Sequence, residues 1–135
     1  MNREQTATIV AYLNRANLIP ALEGQTAVWH DALADVDYQA AQTVARQMCR
    51  TRTSEDRWVT PADVLNGVRS LRAERIAEFQ RTNPNPLPPI ELADWPELER
   101  AWTGAFWDAV VDGEDMAGAV AAASRVISGP GELAP

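Results

Sequence analysis

The sequence has no lysine, one histidine and one cysteine in 135 residues, and these shortages exclude several classes of function. Cys49 alone cannot form a disulfide within the chain. His30 alone cannot build a histidine-based metal cluster. Next to Asp31 it resembles an acid–base pair, but an exposed polar residue on a helix explains it as well. We expect no metal and no cofactor.

Other signatures of catalysis and of membranes are also missing. No glycine-rich loop precedes a helix in the way that phosphate binding requires. Cys49 follows an apolar stripe and is interpreted as a small core residue rather than a nucleophile. No apolar run approaches the ~18 residues of a membrane span. The first six residues lack the basic-then-apolar layout of a signal peptide. We therefore expect a non-enzymatic cytoplasmic protein without catalytic residues, located in the bacterial host cytoplasm if a phage encodes it.

The net charge of −7 is unevenly distributed. Residues 1–45 carry a net charge of −3, residues 46–81 carry five acids and eight arginines, and residues 82–135 carry nine acids and two arginines. A protein that grips phosphate over a wide surface should be basic overall. Direct contact with DNA is therefore expected to be weak or absent, and local if it occurs.

What the sequence does contain is helical periodicity, with almost no alternating strand pattern. Thr60-Pro61-Ala62-Asp63 has a hydroxyl at the N-cap, proline at the first helical position and an acid at the third. Asp37 and Thr26 are expected to cap two further helices. The predicted helices span residues 3–16, 26–34, 38–52, 61–81, about 95–111 and 114–127.

Apolar residues at helical spacing define the expected core. The predicted buried residues are Ile9, Val10, Leu13 and Ala16; Val28, Trp29 and Leu33; Tyr38, Ala41, Ala45 and Met48; Val64, Leu65, Val68, Leu71, Ile76 and Phe79; and Met116, Val120, Ala123 and Ile127.

The predicted fold class is all-α. Residues 1–81 are expected to form a small four-helix domain, and the proline-rich residues 82–93 a stiff, extended linker. Residues 94–127 are expected to form an acidic, tryptophan-rich helical pair. The tail, 128–135, is predicted to be disordered.

One pattern in the first half is more specific than composition. Trp29 and Leu33 lead to a helix that begins at Asp37-Tyr38, and a polar loop later ends in a capped helix start. The elements in order are Trp29, Leu33, Asp35, Asp37-Tyr38, Ala41, Ala45 and Trp58-Val59-Thr60-Pro61-Ala62-Asp63-Val64-Leu65.

Together with the first helix, this pattern resembles the phage family of replicative-helicase loaders and inhibitors over residues 4–80. The resemblance implies a helical N-terminal domain and a variable C-terminal part without catalytic activity. It implies binding to a hexameric, ATP-hydrolysing replicative helicase, with delivery to an origin-bound initiator or to single-stranded DNA. An initiator or a single-strand-binding protein is a further expected partner. The acidic second half departs from the family.

Two surfaces are candidates for binding. The first is a set of arginines predicted to contact an acidic partner or nucleic acid. Three interpretations are open. The arginines can form a solvated surface, they can bind the acidic C-terminal half or an acidic partner, or they can contact phosphate groups. The members are Arg46, Arg50, Arg69, Arg72 and Arg75.

The second surface is the tryptophan-rich fifth helix. Its aromatic stripe can pack against the sixth helix or anchor a partner protein. Trp107 lies off the stripe and is expected to be the most exposed anchor. The candidate partner-binding residues are Trp95, Leu98, Trp102, Phe106 and Trp107.

The leading hypothesis is an adaptor that loads or inhibits a helicase. One alternative is a helical DNA-binding regulator in which Arg69, Arg72 and Arg75 of helix 61–81 read DNA. Another is a phage assembly chaperone. Trp29, Leu33, Tyr38, Ala41 and Trp58 are interpreted as structural residues, with Trp58 close to a hydrophobic-staple position.

Overall fold

The computed structural model describes residues 1–53 and 55–127, and within these ranges the protein is all-helical, without strands. The predicted all-α class is confirmed. The predicted tail, 128–135, lies outside the described residues. The elements are α1 (Arg3–Arg15), α2 (Gln25–Leu33), α3 (Tyr38–Thr51), α4 (Pro61–Thr82), a 3-10 turn (Ile90–Leu92), α5 (Pro96–Val111) and α6 (Met116–Ile127).

Capping residues account for most of these boundaries. The Asp37 carboxylate accepts a hydrogen bond from the backbone N–H of Ala40 at 2.9 Å and caps α3 as predicted. The predicted Thr26 cap is wrong. The helix α2 begins one residue earlier, and its N-cap is Gly24, which has a φ of 73° that glycine tolerates without steric cost.

Packing divides the chain into two compact units, and the first is Met1–Leu71. In this unit α1 packs against α2 and α3. Tyr38, Met48, Leu65 and Val68 pack against the core from its edge. The buried core residues are Ile9, Val10, Leu13, Ile19, Trp29, Leu33, Val36, Ala41, Ala45, Val59 and Val64.

The contact between α3 and α4 depends on a glycine. A Cβ atom added at Gly67 would collide with the side chain of Val44. Glycine inside a helix costs about 1 kcal/mol relative to alanine. At Gly67 this lower helix propensity accompanies the close approach of α3 and α4. Val44 itself is 2% exposed, which leaves its side chain little room to move away.

The second unit starts at Arg72 and is built around aromatic rings. Trp102 and Phe106 of α5 stack with ring centroids 5.5 Å apart. Ala119 and Ala123 of α6 are fully buried, and their small side chains let α6 lie close to α5. Leu92 of the 3-10 turn is 2% exposed in the same core. Burial of these apolar surfaces provides the driving force for the unit to fold.

Two predicted core residues are exposed instead. Val28 is 65% exposed, because the short α2 buries only Trp29 and Leu33, one turn apart. Val120 is 38% exposed, because α6 turns Ala119 and Ala123 toward α5. The helical pattern was correct in both cases, but the buried face is rotated by about one residue.

The boundary between the units lies inside α4, between Leu71 and Arg72, whereas the sequence placed it after residue 81. The reason is that the ring of Phe79, near the end of α4, contacts Phe106 and Trp107 of α5. The proline-rich segment therefore connects two elements of one unit.

Among the described residues, no helix is both long enough and apolar enough to cross a lipid bilayer.

Candidate functional site

The tryptophan-rich stripe of α5 is mostly internal to the second unit. Trp102 is 1% and Phe106 0% exposed, so neither side chain is accessible to a partner in this structure. Leu98 is half-buried and packs on the same core. Trp95 is 61% exposed and precedes the first residue of α5. Of the stripe, only Trp95 presents most of its side chain to solvent.

Trp107, predicted to be the most exposed anchor, is half-buried, and that expectation is wrong. Its ring packs edge-to-face against Phe106 at 5.1 Å and against Phe79 at 5.9 Å between ring centroids. These contacts place Trp107 in the packing of the second unit. The position off the main stripe is filled by the end of α4, which the periodicity of α5 alone does not reveal.

Two of the five arginines are engaged with the acidic half. Arg72 donates to the Asp108 carboxylate at 2.7 Å, and Arg75 donates to the backbone carbonyl of Val111 at 2.8 Å. A cation at the last carbonyl groups of α5 is also favoured by the helix dipole. Of the interpretations left open, docking of the acidic half describes these two arginines.

The other three arginines, Arg46, Arg50 and Arg69, are exposed and form no ion pair with any residue in the described ranges. Arg46 and Arg50 lie close to Tyr12. The neighbouring Cys49 thiol raises the pKa of the Tyr12 hydroxyl, and the positive charges of Arg46 and Arg50 partly oppose this shift. Cys49 is exposed, so its interpretation as a core residue is wrong.

Several hydrogen bonds hold the segment of the first unit that lies between α3 and α4. Here the chain leaves α3 at Arg52 and reaches α4 at Pro61. The backbone N–H of Thr53 donates to the Asp56 carboxylate at 2.7 Å, and the N–H of Asp56 donates to the Thr53 carbonyl at 3.1 Å. These reciprocal bonds fix the first turn of the loop.

Asp63 joins this loop to the start of α4. The Arg57 guanidinium donates to both oxygens of the Asp63 carboxylate, each at 2.7 Å. Asp63 also accepts from the N–H of Thr60 at 2.8 Å, while the Thr60 hydroxyl accepts from the N–H of Asp63 at 3.3 Å. The predicted reciprocal cap of α4 is therefore present. Arg52 lies 3.6 Å from the same carboxylate.

These donors explain the charge state of Asp63. The hydrogen bond from Arg57 holds the pKa of the Asp63 carboxyl well below its usual range, with further help from the Thr60 N–H and hydroxyl. Partial burial acts in the opposite direction and is outweighed. The same pairing raises the pKa of Arg57. The loop is thus held by a carboxylate that stays ionised at every pH near neutrality.

The loop presents the indole of Trp58 to solvent. Trp58 is 53% exposed, although both of its neighbours are fixed. On one side, Arg57 is paired with Asp63 and also donates to the Trp58 carbonyl at 3.1 Å. On the other side, Val59 is 4% exposed, and its N–H donates to the carbonyl of Leu18 at 2.9 Å.

Beside the indole lies an open depression of about 350 Å³. Asn17, whose φ of 60° turns the chain sharply after α1, helps to form one wall. Charged groups of both signs and apolar side chains share this lining. We refer to its lining residues together as the Trp58 surface: Asn17, Leu18, Thr53, Asp56, Arg57 and Trp58.

Trp58, expected from the sequence to be a structural residue close to the staple position, is 53% exposed instead. Thr60 is the N-cap of α4, so the staple pair consists of Val59 before the cap and Val64 in the first turns. Both valines are buried in the same core. Trp58 lies outside this pair. Counting positions from the Thr60 cap would have identified it as the unburied aromatic residue.

Comparison of the chain with models of protein families, with curated proteins and with solved structures found no match. Within residues 1–53 and 55–127, no cluster of three or more histidine, cysteine or acidic side chains is arranged to hold a metal ion. The Trp58 surface combines an exposed aromatic side chain with an open depression whose rim carries charges of both signs.

Proposed function

We propose that this protein is a non-enzymatic adaptor that binds another protein through the Trp58 surface. The observation that carries the proposal is the 53% exposure of a tryptophan whose flanking residues are fixed by hydrogen bonds and burial. Tryptophan and arginine are enriched among the residues that contribute most to protein–protein binding. Trp58 and Arg57 lie next to each other in the same lining.

The energetics favour such a role. A tryptophan side chain can bury 150–250 Å². Covering roughly half of that area at ~25 cal/mol per Å² contributes on the order of 2–3 kcal/mol. Because the Arg57 and Val59 contacts already order the backbone, binding loses little conformational freedom in the loop. Ordering of the loop would therefore offset little of the free energy that a partner gains by covering Trp58.

We propose further that the partner is a hexameric replicative helicase, which the adaptor loads onto DNA or inhibits. This part of the proposal is supported by the resemblance of residues 4–80 to the phage loader and inhibitor family. The Trp58 surface lies in that part of the chain. An origin-binding initiator or a single-strand-binding protein would be a second partner during delivery. The proposal assigns no reaction to the adaptor itself.

The test is titration of the purified chain against the helicase encoded by the same genome. Trp58→Ala should weaken the complex by about thirtyfold, the effect of losing a dominant contact residue. Val28→Ala is the matched control, because Val28 is an apolar residue of the same unit that is at least as exposed as Trp58. It should change the dissociation constant less than about twofold.

Absence of a complex at micromolar concentrations would refute the helicase assignment. Equal losses for Trp58→Ala and Val28→Ala would refute the Trp58 surface as the contact. Titration with duplex DNA at two salt concentrations distinguishes the DNA-binding alternative, since phosphate contacts weaken steeply as salt rises. A helicase-unwinding assay with and without the adaptor then separates loading from inhibition.

A further inference from the structure

Closely spaced prolines confine the proline-rich segment of the second unit to extended conformations. Prolines occupy positions 84, 86, 88 and 89, so every residue from 83 to 88 directly precedes or is a proline. Proline fixes its own φ near −65°, and the residue before it is confined to extended conformations. Pro89 has φ −53° and ψ 138°, close to polyproline II. Residues 84–89 form neither helix nor strand.

Three exposed residues of this segment are spaced three positions apart. Pro84, Leu87 and Ile90 are exposed, with Leu87 at 88% and Ile90 at 85%, as is Asn85, whereas Pro86, Pro88 and Pro89 are half-buried. Polyproline II has three residues per turn and rises about 9 Å per turn. Pro84, Leu87 and Ile90, spaced three residues apart, therefore share one edge of the segment.

Both ends of the segment are anchored in the second unit. At the start, the backbone and side-chain N–H groups of Asn83 donate to the carbonyl of Phe79 at 3.0 and 3.1 Å. At the end, Leu92 is buried, and its N–H donates to the carbonyl of Pro89 at 3.0 Å. The extended conformation is thus ordered before any partner arrives, which reduces the entropic cost of binding.

We propose that residues 84–89, with Ile90 at the start of the following 3-10 turn, are a polyproline II ligand for a partner domain whose groove is lined by tyrosine and tryptophan side chains. Such grooves accept two apolar projections of a polyproline II helix between aromatic rings and donate hydrogen bonds to its carbonyl groups. Leu87 and Ile90 are the two projections. The carbonyl groups of residues 84–88 accept no hydrogen bond from any described residue.

The acidic residues that follow the segment predict the direction in which it would bind a groove. The segment from 82 to 90 is uncharged, and the exposed acids Glu91, Asp94 and Glu97 follow it. A matching groove therefore has a basic rim at the end that receives Glu91. This interaction surface lies in the second unit and is separate from the Trp58 surface, so either can exist without the other.

The test is titration of the full chain with two purified probes, a WW-type and an SH3-type domain, each with an aromatic polyproline groove. We expect saturable binding to at least one of them, and competition by a polyproline peptide. The double variant Leu87→Ala/Ile90→Ala should bind that probe about tenfold more weakly or worse. Val126→Ala is the matched control, since Val126 is an exposed apolar residue of α6 in the same unit.

Three results would overturn the proposal: no binding to either probe, binding that polyproline does not compete, or equal binding by the double variant and the wild type. Sedimentation of the chain alone tests whether a second copy of the chain binds this segment instead. Self-association that the double variant abolishes would assign the exposed edge to a second copy of the chain. Circular dichroism of each variant verifies that the helices are retained.

Discussion

Arg57 and Asp63 form a two-pronged ion pair, in which two guanidinium nitrogens each lie 2.7 Å from a different carboxylate oxygen. The two residues are six positions apart, one in the loop before α4 and one in its first turn. Paired bonds of this geometry restrict orientation more than a single contact does. The direction in which Trp58 projects is thereby tied to the cap of α4.

The first prediction concerns the stability supplied by Asp63. Asp63→Asn keeps the size of the side chain but removes its charge, weakening the bonds from Arg57 and from the N–H of Thr60. We expect the free energy of unfolding to fall by about 1 kcal/mol, the usual value of a helix cap. Urea unfolding measures this. Glu23→Gln, at an exposed acid of the same unit, should leave the midpoint unchanged.

The second prediction concerns pH. The pKa of Asp63 is lowered in the folded state from its ordinary value of 3.8. The ionised carboxylate therefore contributes stability that is fully present above about pH 4 and is lost as pH falls toward the lowered pKa. The difference in unfolding free energy between wild type and Asp63→Asn should stay constant from pH 7 to pH 5 and shrink below pH 4. A constant difference down to pH 2.5 would contradict this explanation.

The third prediction concerns the close approach of Gly67 to Val44. Gly67→Ala should destabilise the protein by about 1–3 kcal/mol, because overpacking outweighs the gain in helix propensity. In a Val44→Ala background the collision is removed, so the same substitution should become neutral or stabilising. A double-mutant cycle measured by thermal or urea unfolding gives the coupling between the two sites. Additive effects would show that the two side chains do not compete for space.

The fourth prediction concerns Phe79, whose ring contacts Phe106 and Trp107. Phe79→Ala should destabilise the second unit by about 3 kcal/mol and shift the Trp107 fluorescence to longer wavelength as its indole becomes hydrated. Phe79→Leu retains apolar volume and should cost less than half as much. The exposed Gln80→Ala is the neighbouring control and should leave the emission maximum in place.

The fifth prediction separates the aromatic contacts from the charged one. Asp108→Asn removes the ion pair with Arg72. In this pair the Arg72 side chain is 42% exposed and the Asp108 side chain is 67% exposed. Exposed pairs contribute at most about 1 kcal/mol and are screened by salt. The loss in unfolding free energy should therefore be small and should disappear in 1 M NaCl. A large loss that persists at high salt would require a tighter role for Asp108.

The sequence correctly predicted the helix starts that depend on capping side chains close by in the chain. Pro61, with Thr60 and Asp63 around it, determined the start of α4, and Asp37 determined the start of α3. The start of α2 was placed one residue too late because Gly24 caps it through its left-handed backbone rather than through a side chain.

Packing between distant residues was the part that the sequence could not supply. The helical pattern of α6 suits either Ala119 or Val120 as a buried residue, and only the surface of α5 decides between them. Burial of Trp107 depends on Phe79, 28 positions earlier. The candidate site was missed for a related reason, since a tryptophan close to a capped helix suggests core until the staple pair is assigned to Val59 and Val64.

The five tryptophans differ in solvent exposure, so their intrinsic fluorescence can report on binding. Trp29 and Trp102 are shielded, Trp107 is partly so, and only Trp58 and Trp95 have most of their indole in solvent. Iodide or acrylamide should quench the last two selectively. In a Trp95→Phe background, the quenchable emission comes mainly from Trp58, so occupancy of that position can be followed without attaching a dye.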